Sequence, residues 1–308
     1  MKLSRRTVLT GIGASAWAGS LPLPVRAQGS PYRFKVGEAE VTVLSDGNMS
    51  LPVSLVLPGR PPAEIEAAFK AAGQTFDAFN AQINVAVIKL GAETIVVDTG
   101  GGPDFMPTMG KLAERMEAAG IKPESVTRVL FTHAHPDHFW GVVDPLSGGT
   151  MFEKAEHVMS AAEFEFWIKP DVDSRVGDSF KPTAVGTHRR LKTLAEQITK
   201  RGAGDEVAPG ITLVDSAGHT PGHVSILLRS GSEQLLIGGD ALSQTVISFG
   251  HPDWRWGPDL DADRAVKSRR AILDRLATEK TQLLGYHLPW PGLGRVERRD
   301  NAYRFVAA

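Results

Sequence analysis

Arg128-Val129-Leu130-Phe131-Thr132-His133-Ala134-His135-Pro136-Asp137-His138-Phe139-Trp140-Gly141 decides how the rest of this chain is read. Val129 to Phe131 is a short, apolar, β-prone run, which suits a buried strand. His133, His135, Asp137 and His138 follow at once, four potential metal ligands within six positions. Pro136 stops the strand, and Asp137 is placed to open the next helix as its N-cap. Strand, tight loop and helix start then aim all four side chains into one small volume. Imidazole and carboxylate suit zinc and similar divalent ions, and so dense a set calls for a cation.

One such motif does not close a binuclear site, so further ligands are expected downstream. His219 stands in Ser216-Ala217-Gly218-His219-Thr220-Pro221-Gly222-His223, after the run Ile211 to Val214. Asp240 follows the strand Gln234 to Ile237, and His287 follows Gln282 to Gly285. Each candidate comes after an apolar strand and is flanked by Gly or Pro. That pattern places ligands on loops at one edge of a β scaffold, where function concentrates.

With these motifs in this order, and with Asp98 in Ile95-Val96-Val97-Asp98-Thr99-Gly100-Gly101-Gly102, the chain resembles the metallo-β-lactamase-fold hydrolase superfamily from about Phe34 onward. The resemblance implies an α/β fold, a four-layer αββα sandwich with two sheets face to face and helices outside. It implies two divalent metal ions, zinc by default, with manganese, iron or cobalt also suited to such mixed ligands. It assigns His133, His135 and His219 to the first metal, Asp137, His138 and His287 to the second, and Asp240 as the bridge. It further implies a metal-bridging hydroxide as nucleophile, attacking a carbonyl carbon or a phosphorus. Asp137 is a candidate for proton transfer. Asp98 is expected to orient a ligand ring by accepting its second N–H, and His223 to stand behind the ligands. No Gly-x-Ser-x-Gly motif suggests a serine nucleophile instead.

The segment from Ile247 to Ala265, and the one around His287, look most like the branch of methyl-parathion hydrolases, arylesterases and lactonases. Its substrates are small esters, lactones or phosphotriesters. Trp140, Phe249, Trp254, Trp256 and Trp290 are candidate walls of an apolar pocket, although ordinary aromatic packing accounts for each taken singly. Many quorum-quenching lactonases carry Tyr three residues after the bridging Asp; Ser243 stands there in this chain. The alternatives are a glyoxalase II-like thioesterase, a β-lactamase, or a non-catalytic metal-binding or sensor protein on the same scaffold. Complete retention of the ligands weighs against the sensor. Absence of cysteine weighs against the cysteine-using β-lactamases, and the features below weigh against a glyoxalase.

The chain has 308 residues and 42% hydrophobic content, enough for a full core in one domain, expected over residues 31–308. Net charge is −1, and the first 27 residues hold Lys2, Arg5, Arg6 and Arg26 without an acid, so the remainder carries −5. Nothing there points to nucleic acid. Ser4-Arg5-Arg6-Thr7-Val8-Leu9 resembles a twin-arginine export signal, with Val25-Arg26-Ala27 as its cleavage site. The apolar run behind it is too short for the roughly 18–20 residues of a spanning helix, so no stable membrane anchor is expected. The expected partners are therefore the twin-arginine export machinery and a small-molecule substrate, the location periplasmic or secreted. A homodimer follows by family analogy alone.

Elsewhere, Phe34 to Val43 reads as a hairpin turning at Gly37, and Asn84 to Leu90 with Thr94 to Val97 as a second strand pair. Pro62 to Ala72, Thr108 to Gly120, Ala161 to Ile168 and Ala184 to Arg201 read as helices. Residues 170–182 read as an irregular flap. His157 and His188 are read as structural or exposed.

Overall fold

The structure, a computed structural model, describes residues 29–144 and 147–308. The expected export signal lies outside them. Among the described residues no helix is long and apolar enough to cross a membrane.

Two seven-stranded sheets form the centre of the molecule. The first runs in chain order through β1 (Tyr32–Val36), β2 (Ala39–Pro52), β3 (Ala78–Leu90), β4 (Glu93–Val97), β5 (Arg128–Leu130), β6 (Glu156–Ser160) and β7 (Ile198–Arg201). The second comprises β8 (Glu206–Ala208), β9 (Ile211–Asp215), β10 (Val224–Ser230), β11 (Glu233–Ile237), β12 (Gln282–Leu284), β13 (Leu293–Arg299) and β14 (Ala302–Ala307), also in chain order. The expected hairpin is there: β1 and β2 pair antiparallel across Gly37, whose φ of 55° lies in the left-handed region that glycine tolerates.

The strands read as nearly continuous apolar runs because both faces of each sheet are covered. Side chains alternate between two environments along every central strand. Ile95 and Val97 of β4, Leu130 of β5, Ile226 and Leu228 of β10, and Leu235 and Ile237 of β11 meet between the sheets. Val96, Val129 and Phe131 point the other way, toward the helices outside the first sheet. Leu227, Leu236 and Leu283 point outward from the second, toward the final helix. The result is the four-layer αββα sandwich expected from the sequence.

Helices α1 (Val53–Val56), α2 (Pro62–Ala71), α3 (Leu112–Ala118), α4 (Pro136–Phe139), α5 (Ala161–Trp167) and α6 (Lys181–Leu194) are all interspersed with the strands of the first sheet; α7 (Ala262–Glu279) lies between strands of the second. Several boundaries differ from expectation. The helix read as Ala184 to Arg201 ends at Leu194, and Ile198–Arg201 forms β7, parallel to β6. The β-branched pair Ile198-Thr199 favours the strand once an open sheet edge is available. The helix read from Thr108 begins at Leu112, because the buried carboxylate of Asp46 accepts the N–H groups of Gly101, Gly110 and Leu112 and holds the preceding turn. Strand β3 starts at Ala78 rather than Asn84, following the buried alternation of Phe79, Ala81 and Ile83. Asp137 does not cap its helix; the N-cap of α4 is His135. Residues 170–182 are two short 3-10 turns leading into α6, whose first turn contains Pro182.

Chain direction places the site. Strands β4 and β5 pair parallel, as do β11 and β12, so the loops leaving all four emerge at one edge of the sandwich. At that edge the two sheets are joined by backbone bonds, Asn84 N–H to Tyr286 O at 3.0 Å and Val224 N–H to Thr132 O at 3.0 Å.

Ile88 is fully enclosed between the sheets. Ile88→Ala should destabilise the fold by about 2–5 kcal/mol, the cost of a large-to-small change in a close-packed core. Denaturant unfolding followed by far-UV circular dichroism measures it, and a loss under ~1 kcal/mol would contradict this packing.

Candidate metal centre

All seven expected ligands converge at that edge. His133 and His135 lie on the β5–α4 loop, Asp137 and His138 on α4 itself, His219 after β9, Asp240 after β11 and His287 after β12. Three clusters have ligand atoms within 4.8 Å of one another: His133, His135 and His219; His133, His138 and Asp240; Asp137, His138 and His287. The carboxylate of Asp240 faces both outer groups. Its Oδ1 lies 3.0 Å from His138 Nε2 and 3.1 Å from His287 Nε2, while its Oδ2 lies 3.3 Å from His219 Nε2. Asp137 Oδ2 stands 3.2 Å from His287 Nε2. One carboxylate thus spans two nitrogen clusters, as a bridge between two cations requires.

The far side of each ring decides which nitrogen points inward. His138 Nδ1 is 2.8 Å from Asp98 Oδ2, His219 Nδ1 is 2.9 Å from Asp259 Oδ1, and His287 Nδ1 is 2.9 Å from the Gln82 carbonyl. An acceptor that carries no proton fixes Nδ1–H, leaving the Nε2 lone pair directed into the cluster. His133 Nδ1 meets the Thr132 hydroxyl at 3.1 Å, and that hydroxyl donates onward to Asp98 at 2.7 Å. Asp98 also accepts Thr132 N–H at 2.8 Å and adopts a φ of 60°, a left-handed conformation Asp tolerates better than most residues. Its expected orienting contact is therefore present. His223 sits behind the cluster: its Nε2 accepts the Asp240 N–H at 2.9 Å and its Nδ1 is 2.8 Å from Ser216 Oγ.

Outside the cluster's own rings, the buried atoms His133 Nε2, Asp137 Oδ2 and Asp240 Oδ1 have no hydrogen-bond partner. Burying unpaired acceptors is costly. All three face the cluster, and their chemistry fits two divalent ions held by nitrogen and oxygen.

Several contributors escaped the sequence reading. Asp259 holds His219 and is held by the buried Arg269, whose guanidinium lies 3.1 Å from its Oδ2. Tyr286 stacks on His138 at 3.9 Å and donates its hydroxyl to the Asp137 carbonyl at 2.7 Å. Glu163 ties two ligand loops together. The local signal for Tyr286 was its place directly before His287; Asp259 and Glu163 had none.

A cavity of about 190 Å³ opens over the cluster, with His135, Asp137, His219 and Asp240 at its floor. Its walls are largely apolar, among them Met49, Leu51, Phe79, Phe105, Phe180 and Trp256. Phe180 comes from the segment read as a flap. Of the five aromatics expected to line the pocket, Trp256 does so and the other four are placed elsewhere. Trp140 lies behind Phe105, donating to Thr187 Oγ1 at 2.9 Å with the Arg190 guanidinium on its face. Trp254 is sandwiched between His251 and Arg60. Phe249 packs in the core beneath the second sheet, and Trp290 against the core between the sheets. Ser243 donates to the Asp240 carbonyl and is absent from the cavity wall. A larger groove of about 870 Å³ beside α2 reaches none of the seven ligands. His157 is buried against Thr150, and His188 lies 3.0 Å from the Trp167 carbonyl.

The cluster holds its charges unevenly. Burial and the neighbouring His219 lower His135 to about 3. Burial also disfavours charge on His287, but the carboxylates of Asp240 and Asp137 outweigh it and raise its pKa to about 9. Asp240 is held well below the usual carboxylate range, its burial outweighed by His287, His138 and His219.

In the metal-free protein the His287 proton is bound more tightly folded than unfolded. Its contribution is complete below pH ~6.5 and is lost as pH rises toward 9. Metal-free Tm should therefore fall between those limits, while affinity for zinc rises as the proton leaves. Differential scanning fluorimetry with and without chelator checks this; a metal-free Tm that climbs across the window would contradict it. Asp98→Asn, which removes the fixed acceptor behind His138, should weaken metal binding by about 10–100-fold, read by chelator competition.

Residues 79–281 of the chain match the family model of the Metallo-beta-lactamase superfamily. No curated protein matches the chain by sequence. Among solved structures, it is similar to AidC, a dizinc quorum-quenching lactonase in complex with a homoserine product, at 27% identity and TM-score 0.85, covering 91% of this chain and 98% of that one. It is similar to AbOPH, a hydrolase of the beta lactamase superfamily, at 25% identity and TM-score 0.83 over 91% and 98% of the two chains. A probable metal-dependent hydrolase from Staphylococcus aureus shares the fold at 20% identity and TM-score 0.69, over 82% and 91%. With two thirds of its length inside the family profile and the ligand set assembled on its fold, this chain belongs to the metallo-beta-lactamase superfamily.

Proposed function

We propose that the protein is a binuclear zinc hydrolase that opens a small lactone or cleaves an ester, exported by the twin-arginine route. The observation that carries the reading is the bridging Asp240 carboxylate between two imidazole clusters, beneath an apolar cavity. When bound, the two ions supply a water acidic enough to ionise near neutral pH and positive charge for the oxygen that gains it.

The chain's own groups do the rest. Asp240 keeps one oxygen toward His138 and His287 and the other toward His219, so both metal positions stay in register. Asp137 is held ionised, its burial outweighed by His138 and His287. That makes it an inward ligand and a weak proton acceptor. Phe79, Phe180 and Trp256 exclude water and present an apolar surface to the acyl part of a substrate. Ser243 brings no phenol to the reacting carbonyl, and its own hydroxyl is turned to the Asp240 carbonyl, away from the cavity. Similarity to AidC, a quorum-quenching lactonase, supports a lactone as substrate, and similarity to the hydrolase AbOPH supports hydrolysis as the reaction. The pair Arg5-Arg6, with its following apolar run, supports export.

Asp240→Ala and His135→Ala should each lower kcat/KM by more than the ~100-fold that bounds loss of an outer partner, and lower bound metal with it. Full turnover in either metal-depleted variant would overturn the mechanism. Substrate class is decided by kcat/KM of the zinc-loaded protein on short and long acyl-homoserine lactones, an aryl acetate, methyl paraoxon and a chromogenic cephalosporin. Lactone or ester should dominate; dominance by the cephalosporin would refute the assignment.

A further inference from the structure

Four of the five cluster histidines are anchored by a bond behind the ring, through Thr132, Asp98, Asp259 and the Gln82 carbonyl. His135 is the exception. Its Nδ1 faces His219 Nε2 at 2.9 Å, and among the described residues no group binds its outer nitrogen. Something else must keep this ring in place.

Glu163, on α5, is fully buried, and no cation lies among its bonding partners. Its Oε1 accepts the Ala134 N–H at 2.9 Å and the Trp167 indole N–H at 2.6 Å. Its Oε2 accepts the Thr220 hydroxyl at 2.7 Å and the Gly222 N–H at 3.0 Å. Ala134 lies between His133 and His135, and Thr220 is next to His219. Trp167 in turn stands edge-on to the His135 ring, 5.7 Å between centroids. The approach is tight: a Cβ on Gly222 would fall 2.0 Å from the Glu163 nitrogen, so only glycine lets this loop reach α5.

We infer that Glu163 is a positioning residue for the first metal triad, its two oxygens clamping the loop of His133 and His135 to the loop of His219 and setting Trp167 against His135. The inference rests on the binuclear reading of the site. Burial raises the carboxyl's pKa against the pull of its four donors. Both anchored loops lie one residue from a ligand, so slack in the clamp moves ligand atoms directly. The two ends also belong to different sheets: Ala134 follows β5 and Thr220 follows β9. Glu163 thereby joins the halves of the sandwich at the triad they share.

Glu163→Gln tests this at nearly constant shape. A glutamine can keep its carbonyl on Ala134 and Trp167, but its amide then meets the Gly222 N–H, donor against donor, and the His219 loop is released. The expected result is a folded protein in which one of two zinc ions binds about 10–100-fold more weakly, measured by chelator competition. The cobalt-substituted protein should show an altered visible spectrum from that site. Ile88→Ala serves as control, since destabilisation remote from the site should leave both affinities intact. Wild-type affinities for both ions in Glu163→Gln, whatever its Tm, would overturn the inference. A wild-type protein that binds no zinc would instead overturn the metal reading beneath it. Should Glu163→Gln fail to fold, Thr220→Val removes one donor alone: a smaller loss at the same site supports the clamp, and an unchanged affinity refutes it.

Discussion

Two carboxylates and five imidazoles share a buried space at one edge of the sandwich, and their donor atoms face one another at distances of 2.9–3.4 Å. Lone pairs brought together out of water repel and lose their solvation. The arrangement is stable only if positive charge is supplied from within, by protons or by metal ions. The perturbed protonation of His135 and His287 in opposite directions is the same demand seen from two sides. Much of the surrounding structure can be understood as what holds those groups together against that cost.

The outer contacts show how. Each of four rings donates or docks its far nitrogen on a group that is itself fixed: Asp98 by two bonds from Thr132, Asp259 by Arg269, the Gln82 carbonyl by its place in β3. The two terminal nitrogens of Arg269 bond Asp259 and the carbonyls of Pro252 and Trp254. A buried guanidinium with three partners has its desolvation offset by bonds to each. Parallel pairing of β4 with β5 and of β11 with β12 does the coarse placement. The hydrogen bonds that cross between the sheets at Asn84 and Val224 hold the two ligand-bearing halves in register.

The apolar walls follow a different logic. They come from β2, β3, the turn before α6 and the segment near Trp256, elements distant in sequence that meet only over the site. Tryptophans near a ligand in sequence are a poor guide to that surface. Trp140 lies two residues from His138 yet turns away, because its indole N–H finds Thr187 and its face finds Arg190. Large aromatic rings go where both area and polar handle are satisfied, and here that place is behind the wall.

The sequence by itself determined the candidate ligand set, the strand-then-ligand rhythm and the sandwich class. The physical reason is that metal ligands must follow strand ends closely, so histidine spacing and apolar runs carry that information within a few residues. Asp98 was legible for the same reason, standing at the end of β4. Only the tertiary structure decided which residues support those ligands: Asp259 behind His219, Tyr286 over His138 and Glu163 between two loops. It also decided that Ile198–Arg201 is a strand, since an open sheet edge outweighs local helical pattern, and that Trp256 alone among five aromatics meets the cavity. Those outcomes depend on groups brought together from opposite halves of the chain, and no local pattern of residues encodes which distant partner a buried carboxylate or ring will find.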